Sequence, residues 1–141
     1  MSTVENLYKQ KWAEVEFDSD KNAIVVHWNG FVSIEQFKET MLKALDSFYE
    51  KDATHWLIDQ TNRQAVHPTI NEWVIEQFYP MLIDAAKPKS RMAVVVSKDV
   101  FGRFSMRNQT DGLSTKYEGK MIPYQYFKSV AEASEWLDSR Y

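Results

Sequence analysis

The chain has 141 residues, 44% of them apolar and 26% charged, with a formal net charge of −3. That length and balance fit one folded domain with a sizeable core and argue against disorder. The lack of cysteine excludes disulfides, thiol catalysis and thiolate zinc sites, and the negative balance gives no overall footprint for nucleic acid. No apolar run approaches the roughly 20 residues that span a bilayer, and the opening M-S-T-V-E-N-L-Y-K-Q lacks the apolar region of a signal peptide. A cytoplasmic protein is expected.

Residues 1–11 carry no clear period and read as a loose N-terminal arm before a single domain over 12–141. Trp12–Phe17 alternates Ala13, Val15 and Phe17 against Glu14 and Glu16, the pattern of a half-solvated strand. A polar turn, D-S-D-K-N, leads into a second strand over Ala23–Trp28, which makes an antiparallel hairpin. Ser33 and Gln36 form a capping box, and Ile34, Phe37, Met41, Leu45 and Phe48 give a helical stripe that Leu42 and Tyr49 widen. Thr54–Asp59, with its compact Trp56-Leu57-Ile58, reads as a buried central strand, followed by a loop over Gln60–Pro68. A second capping box at Thr69–Glu72 opens a helix with Ile70, Trp73, Val74, Phe78, Met81 and Leu82 on one face, and Pro80 predicts a kink or a restart. Arg91–Ser97 is apolar throughout its centre and reads as a second buried strand. Over Lys98–Gly119, the residues Val100, Phe101, Phe104 and Met106 suggest a short helix. Met121–Phe127 is a last strand, and Ser129–Glu132 caps a terminal helix carrying Val130, Ala133, Trp136 and Leu137. The order ββαβαβ(α)βα predicts a small mixed α/β sheet, mainly parallel, with an antiparallel N-terminal hairpin and packed helices.

Loops at the carboxyl ends of such strands face a crevice between helices and commonly carry the site. Asp59, Thr61, Asn62, Arg63 and His67 gather there, with Thr69 and Trp73 on the helix that follows. Read as a site, they would bind a protein partner or a small anionic ligand. Arg63 would supply fixed charge, and the amides at Thr69 would suit a phosphate. The plainer reading makes Asp59 and Thr69 caps of backbone amides.

The remaining chemistry is sparse. His27, His55 and His67 have no metal-ligand spacing, and no nucleophile elbow, phosphate loop or dinucleotide fingerprint is present, so neither a catalytic residue, a metal nor a cofactor is expected. Lys87, Lys89, Arg91, Lys98, Arg103 and Arg107 make a locally basic segment, read either as a surface for an acidic partner or as solvated strand ends.

The order of elements resembles the SpoIIAA-like, or STAS, domain of bacterial anti-sigma-factor antagonists. The closing Y-F-K-S-V-A-E-A-S-E-W-L at Tyr126–Leu137 and the H-W-L-I-D at His55–Asp59 are similar to that family's last strand and helix and to its central strand. The resemblance covers Trp12 to the end and implies a non-enzymatic regulatory or protein-interaction module that docks a partner along Asp59–Trp73. In the family a D-S-S-G-type turn after the central strand carries a phosphorylated Ser. Here the stretch is D-Q-T-N-R-Q-A-V-H-P-T, longer and without Ser, which leaves Thr61 and Thr69 as hydroxyls that could accept phosphate outside the expected motif.

A carrier of a small apolar ligand or lipid, of the Sec14-like type, is the alternative. A deep apolar pocket would favour the carrier, and a flat polar-rimmed apolar patch the module. Because Met92–Val96 is apolar on both faces while simple strand order puts most helices on one side, a homodimer covering the other face is also expected.

Overall fold

The computed structural model describes residues 3–64, 67–98 and 111–138. Among these, one six-stranded sheet runs in sequence order: β1 (Val4–Lys9), β2 (Ala13–Asp18), β3 (Ala23–Gly30), β4 (His55–Arg63), β5 (Met92–Val95) and β6 (Tyr124–Phe127). The first three strands pair antiparallel and the rest parallel, as the order of elements predicts. Helices α1 (Ile34–Glu50), α2 (Pro68–Trp73), α3 (Tyr79–Ala85) and α4 (Val130–Asp138) pack around it. No helix among the described residues is long and apolar enough to cross a membrane.

The loose arm expected over residues 1–11 is instead the edge strand β1 over Val4–Lys9. Its side chains are mostly exposed, so no alternation marks it. It is held by backbone pairing to β2, by the Lys51–Glu5 ion pair and by a hydrogen bond from Tyr8 to Glu39.

Period-2 alternation sends the two faces of the sheet to different cores. Val15, Ile24, Val26, Trp28, Trp56 and Ile58 meet α1, α2 and α3 on one face, where Trp56 stacks on Phe48 at 4.9 Å. Val25, Leu57, Ala93 and Val95 meet Ala133 and Leu137 of α4 on the other. A homodimer is expected only where that second face is left without a cover. The chain's own last helix covers it over β5, so the need for a second copy there disappears.

The capping box at Ser33 is complete: its hydroxyl accepts from the Gln36 amide at 3.1 Å while the Gln36 side chain accepts from Ser33 at 3.0 Å. Phe37, Met41, Leu45 and Phe48 are buried beneath α1, whereas Leu42 and Tyr49 lie exposed, one residue beyond the stripe. The second helix starts earlier than the Thr69 box suggests. His67 is its cap, accepting from the Thr69 amide at 3.1 Å, and Pro68 occupies the first turn, where a missing N–H costs nothing.

Before Pro80 the helix passes into a π-helical segment over Val74–Phe78, and an α-helix restarts at Tyr79 with the proline in its first turn. Proline supplies no amide and crowds the carbonyl four residues back, so the preceding turn widens, and Tyr79 N–H bonds to Val74, five residues back. The short helix expected around Val100–Met106 lies outside the described residues, as do Arg103 and Arg107.

Candidate functional site

β4 decides the site, and it runs to Arg63, four residues beyond the expected strand end at Asp59. His27 of β3 pairs with Asp59, but Asn29 pairs with Asn62, so β4 carries one extra residue between those points. Such a bulge shifts the alternation by one position. Asp59 and Thr61 therefore face one side of the sheet, while Ile58, Gln60 and, beyond the bulge, Arg63 face a cavity on the other.

On the first side, His27 Nδ1 lies 2.7 Å from Asp59 Oδ2 and His27 Nε2 lies 2.6 Å from Glu16 Oε1. Asp59 Oδ1 accepts from both the Thr61 amide and the Thr61 hydroxyl. The hydrogen bond to Asp59, opposed by burial and reinforced by the charges of Asp59 and Glu16, holds the His27 imidazole above its ordinary range. Burial pushes the Asp59 carboxyl up, but the hydrogen bonds from His27 and Thr61 outweigh it and hold that carboxyl below its usual range. The result is a half-buried row across β2, β3 and β4, one imidazole held between two carboxylates. With a carboxylate on each ring nitrogen, His27 has no lone pair free for a metal or a substrate proton.

The other side is apolar. A cavity of about 90 Å³ lies between the sheet and helices α1 to α3, lined among others by Trp28, Phe37, Phe78 and Tyr79, with Gln60 and Arg63 as its polar members. Arg63 is buried, and its guanidinium lies 5.6 Å from the Trp28 ring centre and 5.2 Å from that of Phe37. Burial pulls its pKa down to about 10, which leaves it cationic at neutral pH. The π-helical turn contributes Val74 and Phe78 to this wall.

The seven residues expected to form one site, five on the loop and two on the helix after it, are thus divided. Asp59 and Thr61 join His27 and Glu16; Asn62 is exposed at the strand end; Arg63 points into the cavity rather than towards a loop-bound ligand. His67 and Thr69 are exposed but form the helix cap together. Trp73 is half-buried, edge-on to Phe37 at 5.9 Å and against Phe78 at 5.4 Å. The sequence reading did not find His27, Glu16 or Gln60. For both His27 and Glu16 the signal was present: Glu16 falls on the polar phase of an alternating strand, and His27 is the lone polar residue in the apolar run Ala23–Trp28.

Two members of the basic segment have structural duties. Arg91 is buried, donates to the Trp136 and Leu137 carbonyls at 2.9 and 3.2 Å, and so closes the end of α4. Lys87 pairs with Asp52 at 2.5 Å.

One large apolar side chain stands out at this end of the sheet. Phe31 follows β3 directly and is 74% exposed, and the Gln64 amide donates to the Gly30 carbonyl beside it at 3.1 Å. Gly30 turns the chain there with a φ of +70°, a conformation glycine adopts without strain.

No curated protein and no solved structure matches the chain. The SpoIIAA-like family model matches residues 23–138, from the first residue of β3 to the last of α4. With the sheet order and the closing strand and helix in agreement, the chain belongs to the SpoIIAA-like family.

Proposed function

We propose that the chain is a non-enzymatic regulatory module that docks a protein partner at the carboxyl end of β3 and β4. The observation that carries this reading is Phe31, 74% exposed at the end of β3, where Asn62 pairs with Asn29 and the Gln64 amide bonds to Gly30, both polar residues exposed. A lone large aromatic ringed by polar groups is the form that an interface anchor takes. Membership of the SpoIIAA-like family supports the same role. The neighbouring His27–Asp59–Glu16 row has no free nucleophile or base, which fits binding better than catalysis. If the module is switched by phosphate, Thr69 is the better acceptor: both hydroxyls are engaged, Thr69 with His67 and Thr61 with Asp59, but Thr69 is exposed while Thr61 is half-buried.

Photo-crosslinking in the native cell tests the reading. A crosslinker at Phe31 and one at Asn62 should capture the same protein, and one at the exposed Tyr49 of α1 should not. Equal capture from all three positions, or none from Phe31, would sink the docking surface.

A second reading, a module that holds a small ligand, is favoured by the apolar cavity with its buried cation. The two readings are compatible, since the cavity and Phe31 do not share residues.

A further inference from the structure

We propose that the cavity between the sheet and helices α1 to α3 takes a small carboxylate with an apolar body, the carboxylate bound by Arg63. This deepens the ligand-holding reading and rests on it. Arg63 is 4% exposed, and among the described residues no carboxylate forms an ion pair with it. Its Nη1 donates to Gln60 Oε1 at 3.0 Å, whereas Nε and Nη2 are buried without a hydrogen-bond partner. A buried guanidinium with open donors and no counter-charge is costly unless something completes it. The faces of Trp28 and Phe37 offset part of the charge but cannot accept the in-plane N–H groups.

Geometry selects the missing acceptor. Nε and Nη2 form one edge of the planar guanidinium, the edge that the two oxygens of a carboxylate meet with parallel hydrogen bonds. Gln60 occupies the opposite side and fixes the plane. A single cation among apolar walls balances one negative charge, so a phosphate dianion would keep a buried charge uncompensated. Met41, Val74, Phe78 and Leu82 offer apolar contact to the body of the ligand, and the Tyr79 hydroxyl is already engaged by the Ile122 amide.

Size limits the body of the ligand. At about 90 Å³ the cavity is smaller than the roughly 150 Å³ space that admits benzene, so it holds only a few carbons. A longer chain would leave past Tyr124 and Tyr126, the lining residues that are 38% and 37% exposed.

The test uses the full chain at neutral pH and follows tryptophan fluorescence, since Trp28 lines the cavity, with calorimetry alongside. Butanoate, hexanoate and octanoate are titrated against the matching primary alcohols. Each carboxylate should bind saturably and more tightly than its alcohol by about tenfold or more, the worth of one charge-assisted hydrogen bond. Arg63→Gln should abolish that preference, and Arg63→Lys, which keeps the charge without the planar edge, should weaken it. The wild-type comparison stands even if the variants do not fold. Equal affinity for acids and alcohols would overturn the carboxylate while leaving the ligand-holding reading in place. Absence of binding by both series would overturn the two together.

Discussion

His27 and Asp59 are register partners across β3 and β4, and their side chains meet at 2.7 Å. Because the imidazole is held above its ordinary 6.5, folding takes up a proton there. Its contribution is complete below 6.5 and is lost as pH rises through the raised folded value. Asp59, held below its ordinary 3.8, contributes above 3.8 and loses that contribution as pH falls through the lowered folded value. Between these limits the pair is fully formed. Asp59→Asn should cost about 1–2 kcal/mol at mildly acidic pH, discounted for partial exposure, and should lower the His27 titration towards its ordinary 6.5. An NMR titration of the His27 ring with unchanged midpoint in Asp59→Asn would show that the pair does not couple.

Leu57 and Val95 lie beneath α4 on the second face of the sheet, 1% and 0% exposed. Leu57→Ala should destabilise by about 2–4 kcal/mol and Val95→Ala by about 1–3 kcal/mol, through lost burial and the cavity left behind. Denaturant midpoints measure both. An unshifted midpoint for either would contradict its central position.

Arg91 ties the end of α4 to the start of β5 through the Trp136 and Leu137 carbonyls and stacks on the Trp136 ring at 4.9 Å. Arg91→Met should cost about 1–3 kcal/mol, since two charge-assisted bonds to a helix terminus are lost. Arg91→Lys should restore only part, lacking the planar fork. Amide exchange across α4 should accelerate in Arg91→Met while α1 stays protected; a uniform change in both helices would refute a local tie.

Pro80 withholds the amide that an ordinary turn needs, and the π-helical segment before it aims Phe78 and Tyr79 at the cavity. The Tyr79 hydroxyl accepts from the Ile122 amide at 3.1 Å. Pro80→Ala should let the segment tighten and turn Tyr79 away, at a cost of about 1 kcal/mol for that bond. Faster exchange at the Ile122 amide is the expected sign, and unchanged exchange there would mean that Pro80 is not what sets the widened turn.

Much of the architecture is legible in local pattern. Alternation at Ala13–Phe17, the compact run at Trp56-Leu57-Ile58 and the box at Ser33 and Gln36 each report a neighbourhood of a few residues, and each forms the element expected. The family resemblance carried by His55–Asp59 and Tyr126–Leu137 belongs to the same class of signal, and the family match bears it out.

What the sequence could not disclose depends on partners distant along the chain. β1 exists because its backbone finds β2, and an edge strand with exposed side chains needs no alternation to do so. Arg63 looks like a loop cation in a polar run, yet one extra residue in β4 relative to β3 turns it onto the cavity face. A bulge is a property of the pair of strands, so no window along either one reveals it. In the same way, the polarity of His27, Glu16 and Asp59 was local information, while their meeting was set by strand order and register. The sequence determined which segments become strands and helices, because those periods are local. The tertiary structure decided which side chains converge, because register and face are fixed only when strands pair.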